Sequence, residues 1–433
     1  MNKLRLIVFV VLTLVVTSLP VLAQEPVTLR YYTPFTGASD EKERALIEIC
    51  EEQLGVNVEY TAVAGDGVGP LMTELRALNT AGNMPDVFWM SSGFVGEFTI
   101  DGLLMNIQEY VDRDIMPVAD EYFTGAFDTG RYPDADGDMY AFPNHFVETL
   151  LYYNIDAFDA AGLEYPSNEW TWEDFLSAAQ ALTVDENSDG VVDQFGYYLF
   201  GRYAHVESWV YQNGGRFLNA DKTDFAPNEQ AVETLEFLVS LVREHGVAPT
   251  PAEMEGVSNP FAQGIAAMWV DGSWAIDTLR ATEDLNFGIA AVPRGPQWTE
   301  DTAFGWSDMT SISATTAHPE EAWALVNCLT GANRTPDLVE DGKIPVYRAT
   351  AMSEAWLQLD QLPTNKAFLL DWAEHIGPTS FTPGWGEWRG YVSGSGLQGQ
   401  LDEAFNGNVT LEQALTTAGE VANQVIDRFY GES

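Results

Sequence analysis

The chain has 433 residues, of which 46% are hydrophobic and 12% aromatic. That is enough for more than one buried core and too long for a single one, so two domains, or three, are expected. Twenty basic side chains stand against 65 acidic ones, a formal net charge of −45; such a surface repels nucleic acid, anionic lipid and anionic substrates and disfavours all three as partners. The carboxylates are dispersed rather than gathered into a tail, and read as a solvating surface.

Lys3 and Arg5 precede an apolar run from Leu6 to Val16, which Ser18 and Pro20 break before Val21-Leu22-Ala23. This is the pattern of a cleaved export signal over residues 1–23, with the mature chain starting near Gln24. The run is shorter than the roughly 20 residues a membrane span requires. No cysteine follows the cleavage site to take a lipid, so the protein is expected free outside the cytoplasm, in a periplasm or beyond a single membrane. Cys50 and Cys328 sit among apolar neighbours in helix-like segments; export permits a disulfide, but buried thiols are the expected state.

Strand-like and helix-like segments then alternate. Val27–Tyr32 reads as a strand, Ser39–Leu54 as an amphipathic helix, Val56–Val63 as a strand, Leu71–Asn79 as a helix and Pro85–Met90 as a strand. The alternation predicts α/β lobes on mostly parallel sheet, with ligand loops at the strand ends, Thr33 to Thr36 and Ser91 to Gly93. Further on, "VETLLYYNIDAF" runs from strand into helix. "WTWEDFLSAAQAL" opens with Thr171 as N-cap and Asp174 three residues later, a variant capping box.

Two motifs are formal matches only. Asp185, Asn187, Asp189 and Asp193 occupy calcium-loop positions one, three, five and nine with Gly190 at the turn, but position twelve is Gly196 instead of a bidentate glutamate, so a solvated turn is the better reading. "GSGLQG", residues 394–399, has a dinucleotide-fingerprint spacing without its strand, and Glu420 falls inside the helical stretch Leu411–Tyr430. The sequence contains no Gly-x-Ser-x-Gly elbow, His-Glu-x-x-His, phosphate loop or Cys-x-x-Cys. Five scattered histidines predict no metal centre, and no cofactor is expected. A glycosidase, needing only two suitably spaced carboxylates, remains the enzymatic rival.

Trp209, Trp274, Trp306, Trp385 and Trp388 each lie beside Gly, Ser or Asn, whereas Trp269 lies inside the apolar "AAMWV". Sugars present flat C–H faces that pack on indoles and hydroxyl rims that need carboxylates, amides and arginine, so such a set suits carbohydrate. Taken singly, each of these tryptophans fits a core equally well. Trp269 is expected in the core.

"YAFPNHFVETLLYYNIDAF", "WTWEDFLSAAQAL", "NPFAQGIAAMWVDGSWA", "NFGIAAVPRGP", "HPEEAWALVNCLTG" and "GKIPVYRATAM", spread across the chain, resemble the extracytoplasmic sugar-binding proteins of ABC importers, the solute-binding family that includes maltose-binding protein. The resemblance spans essentially the whole mature chain. It implies the two-lobe periplasmic-binding-protein fold (type II) with a hinge crossed several times: one lobe from 24–142 and 293–316, the other from 143–292 and 317–433. It further implies Trp274 as a stacking aromatic and Glu148 as an acceptor of sugar hydroxyls. Thr33, Phe35, Ser91 and Ser92 become first-lobe contacts, Gly305, Trp306 and Ser307 a loop lining the cleft, and Trp385 a late aromatic; the match is looser at Trp209 and Arg389. The implied partners are a carbohydrate and the membrane permease subunits, the implied state a monomer. A polyamine, peptide or polyol would fit the same fold.

Overall fold

The computed structural model describes residues 26–64, 68–376, 381–390 and 395–430. The predicted export segment and Gly394 lie outside them.

Strands β1 (Thr28–Thr33), β2 (Asn57–Ala62) and β3 (Val87–Ser91) alternate with helices α1 (Gly37–Leu54) and α2 (Val68–Thr80). Helix α1 buries Glu43, Leu46, Ile47 and Cys50, a three-and-four spacing that lines one face of a 3.6-residue helix. Gly55, at φ +66°, ends it in the left-handed conformation that glycine adopts without strain. β1 pairs in parallel with both β2 and β3.

After a short hairpin of β4 (Arg131–Tyr132) and β5 (Asp138–Met139), the 14-residue strand β6 (Ala141–Asn154) organises the rest. Its first part, Ala141 to Glu148, lies antiparallel to β9 (Gly305–Ile312), which itself lies antiparallel to β3. Its second part, from Thr149 onward, pairs instead with β7 (Met268–Gly272) and β8 (Phe287–Ala290), both antiparallel. One strand thus belongs to two sheets and changes partners between Glu148 and Thr149, which makes it a hinge crossing between two lobes.

The expected mostly parallel sheet is corrected to a mixed one. Among the described residues, parallel strand pairing joins β2, β1 and β3, and isolated parallel bridges link Phe195 to Ala266, Tyr198 to Trp269, Thr171 to Arg294 and Ala303 to Ile376. Strands that pass between lobes return against their neighbours, and the apolar alternation that marks a strand carries no information on its direction.

The predicted lobe limits also shift. The helix Pro319–Thr330 and strand β10 (Ile344–Pro345), expected in the second lobe, stand on the first: β10 pairs with Phe146 and His145 of β6, and the helix packs on α1, β6 and β9. Cys50 of α1 and Cys328 of this helix form a disulfide, with Cα atoms 5.9 Å apart and 278 residues between them in sequence; the expectation of buried free thiols is corrected. The capping box at Thr171 and Asp174 is present in both directions.

The candidate ligand-binding cleft

The partner change in β6 leaves Glu148 opposite Gly305 of β9 and beside Ser273, just past β7. The Ser273 N–H donates to the Glu148 carbonyl at 2.8 Å, and the Glu148 N–H donates to Ser273 Oγ at 3.5 Å. The Glu148 side chain is fully buried, and neither carboxylate oxygen accepts a hydrogen bond from the described residues. Burial alone raises its pKa well above the ordinary carboxylate value. A buried acceptor with no donor is costly in a folded chain, and here it stands at the junction of two lobes.

Trp274 follows Gly272-Ser273 and caps the helix Ala275–Arg280. Its ring folds back over Gly272, where an added Cβ would lie 1.5 Å from the indole, so the missing side chain at Gly272 is what allows the tryptophan its position. Aromatic rings then follow in contact. Trp274 meets Trp306 at 4.7 Å between centroids, Trp306 meets Tyr203 at 5.2 Å, and Tyr203 meets Trp385 at 5.4 Å. A Cβ on Gly93 would come within 2.9 Å of the Trp385 ring, so the loop after β3 abuts this aromatic group. Trp274 is half-buried, while Trp306 and Trp385 are buried.

The structure brings together Glu148, Trp274, Gly305, Trp306 and Trp385. Ser92 and Ser307 join the first-lobe wall: the Ser307 N–H donates to Ser92 Oγ at 3.2 Å, and Thr129 Oγ1 donates to Ser307 Oγ at 2.9 Å. A cavity of about 210 Å³ borders Trp306 and Ser307, walled by Phe123, Thr129, Phe146 and Ile376. Thr33, Phe35 and Ser91 belong to a neighbouring polar group. Thr33 shares a hydrogen bond with Tyr60, and Lys343 lies 5.5 Å from the Phe35 ring centre. Ser91 pairs across the sheet with Asp308, whose carboxylate meets His145 at 2.6 Å and Lys343 at 3.0 Å. Burial would raise the Asp308 carboxyl, but Lys343 and His145 override it and hold it below its usual range.

Trp209 is not in this group. It is wholly buried against Phe175 and Tyr197 and donates its indole N–H to the Tyr197 hydroxyl. Its Ser and Asn neighbours suggested a loop, yet every residue of its helix, Tyr203–Gln212, is buried. Trp388 is likewise core, its N–H on Thr382 Oγ1, and so is Trp269, against Tyr152 and Phe261. Arg389, also fully buried, pairs with Glu207 at 2.9 Å and donates to the Gly201 carbonyl at 2.9 Å. It holds the turn that presents Arg202 and Tyr203.

Asp402 grips the same turn, accepting the Gly201 N–H at 2.6 Å. Burial pushes its pKa up to about 6 from an ordinary 3.8. An acid whose folded pKa is raised holds its proton after the unfolded chain has released it, so stability falls as pH rises from about 4 to about 6. Asp402→Asn, which keeps an acceptor for Gly201, is expected to raise the melting temperature at pH 8 and leave it unchanged at pH 4; equal effects at both would contradict this.

Arg202 and Tyr203 stand in this group without an expectation from the sequence, although "GRYAH" sets them beside a glycine as Trp306 and Trp385 are set. In the Asp185–Asp193 loop the carboxylates accept backbone N–H groups of the loop itself, Asp185 those of Asp189 and Gly190, Asp193 that of Glu186. Of the dinucleotide-like stretch, the described residues Gly396 to Gly399 open a helix, Gly396–Asn406, with Ser395 at its N-cap position.

The fold is that of two-lobed binding proteins. An ABC substrate-binding protein from Listeria monocytogenes, solved in complex with cycloalternan, superposes with TM-score 0.77 at 22% identity, covering 94% of this chain and 100% of that one. The sugar-binding protein MalE from Xanthomonas citri gives 0.75 at 19% identity over 94% and 100%. By sequence, the maltooligosaccharide ABC transporter solute-binding lipoprotein of Streptococcus pneumoniae is 24% identical over 323 residues, 72% of this chain and 71% of that protein. The family profile described as bacterial extracellular solute-binding protein matches residues 38–333. With its two lobes, hinge strand and interlobe aromatic group, the chain belongs to the bacterial extracellular solute-binding protein family.

Proposed function

We propose that the chain is the exported receptor of an ABC importer, that it binds a neutral carbohydrate between its lobes as a monomer, and that it hands this sugar to a membrane permease without making or breaking a bond. The observation that carries this reading is the buried Glu148 carboxyl at the lobe junction, which accepts no hydrogen bond from the described residues, on a chain that also gathers Trp274, Trp306, Tyr203 and Trp385 there. A sugar supplies what such a place lacks: O–H donors for the carboxyl and C–H faces for the rings. The Streptococcus relative, named for a maltooligosaccharide, and the Listeria protein, solved in complex with cycloalternan, support the same ligand class.

The mechanism is a population shift. A ligand that touches residues of both lobes gains contacts only when they close, so it favours the closed form by its differential affinity. A permease that reads the closed pair then receives a loaded receptor.

The test is a melting-temperature screen against neutral oligosaccharides, polyols, peptides and polyamines, with product analysis of the hits. At about 100 times its dissociation constant a ligand stabilises by about 2.7 kcal/mol. Stabilisation by a neutral oligosaccharide that is recovered intact is the expected result. Stabilisation by a polyamine alone, or recovery of shortened sugar, would overturn the reading.

A further inference from the structure

The Arg202 guanidinium lies 5.5 Å from the ring centre of Trp274 and 5.5 Å from that of Tyr203. Its Nη1 meets Asp271 Oδ2 at 3.1 Å, with the arginine side chain 30% exposed and the aspartate 2%. Asp271 lies on β7, three residues before Trp274, and also accepts the Gly272 N–H at 2.8 Å. His205 lies 3.8 Å from the same carboxylate oxygen. The acid, the arginine and the stacking ring are therefore fixed to one another: β7 and the turn after it carry Asp271 and Trp274, and the Gly201 turn, clamped by Arg389 and Asp402, carries Arg202.

We propose that Arg202, oriented by Asp271, is the donor that fixes the hydroxyl rim of a neutral sugar stacked on Trp274, and that its pairing with Asp271 discriminates against acidic sugars. This rests on the carbohydrate reading above. A guanidinium is a planar fork of five N–H donors, suited to two adjacent hydroxyls at once. A sugar ring lying on the indole brings its rim to that fork. The arginine is accessible enough to be reached, while its counter-ion is not. The pair carries no net charge, and the chain around it carries −45. A uronate would thus meet a guanidinium already balanced by a buried carboxylate, in a field that repels it. Hydroxyls need only the donors. Asp271 is a positioning residue: it sets where the fork stands and cancels its charge.

The test uses the full mature chain with maltotriose, mannotriose and tagatose as neutral probes and trigalacturonate as the acidic one, by titration calorimetry. Arg202→Lys keeps a cation beside Asp271 but loses the planar fork; it is expected to melt like wild type and to bind the best neutral probe about tenfold more weakly or worse. Asp271→Asn leaves the guanidinium unbalanced and is expected to raise the affinity for trigalacturonate relative to that probe by about tenfold. The double variant R202M/D271N removes both charges together, so neither is left unpaired, and is expected to lose neutral-sugar affinity without that gain. If wild type binds a neutral probe and R202K binds it equally well, the role of Arg202 is overturned while the carbohydrate reading stands. If wild type binds trigalacturonate as tightly as any neutral probe, the discrimination by charge pairing is overturned. If no neutral probe binds and spermidine does, the carbohydrate reading itself fails.

Discussion

Replacing Glu43 by alanine is expected to lower the unfolding free energy by about 3 to 5 kcal/mol, because it leaves a buried guanidinium without its counter-ion. Glu43 sits on the apolar face of α1, accepting the Tyr31 hydroxyl at 2.8 Å and Arg334 Nη2 at 2.8 Å. The side chains of the ion pair are 3% and 2% exposed. Arg334 also donates to the Leu329 carbonyl, at the end of the helix that Cys328 ties to α1. The pair and the disulfide therefore dock the same two helices, and loss of the carboxylate loosens a joint that the sulfurs still hold. Glu43→Met combined with Arg334→Met should lose much less, since both charges leave together and apolar side chains fill the space. Urea titration of the three proteins measures this; a single-variant loss under about 1 kcal/mol would show the pair to be energetically idle.

Glu148→Leu is expected to act with opposite signs on folding and binding. Without ligand the carboxyl is buried and accepts nothing from the described residues, so a leucine removes an unmet acceptor and should stabilise by about 1 to 3 kcal/mol. With the carboxyl gone, sugar affinity should fall about tenfold or more. The gain also depends on pH. Burial raises the folded pKa well above the ordinary 4.5. The unfolded wild type therefore releases its proton first, and wild type loses stability relative to the variant as pH rises above that value. Melting curves across pH 4 to 8 should show a widening gap. A variant less stable than wild type throughout would mean that Glu148 holds the hinge together.

Local features were legible in the sequence and long-range ones were not. The three-and-four spacing of Leu46, Ile47 and Cys50 marks α1, and Thr171 with Asp174 marks a helix start, because both signals are written within one or two turns. The Cys50–Cys328 bond joins positions 278 residues apart, and nothing near either cysteine names its partner. Strand direction is equally silent: "VETLLYYN" reads as a strand, but nothing in it tells that β6 begins at Ala141 and divides between two sheets. A glycine or serine beside an aromatic marks two different settings: at Trp274 it makes room for a half-buried ring over Gly272, and at Trp209 it is Ser208, which lies inside a buried helix and hydrogen-bonds within the core. Glu148 could be singled out only through the family resemblance, since one carboxylate among 65 carries no local mark.

The account stands most directly on calorimetric titration of wild type and Trp274→Ala with the neutral oligosaccharide that stabilises wild type most. It predicts one sugar per wild-type chain and binding at least about 30-fold weaker in the variant, as for a tryptophan at the centre of a binding surface. The ligand-free melting temperature should change little, because the indole is only half-buried. Equal affinity in the two proteins would contradict it.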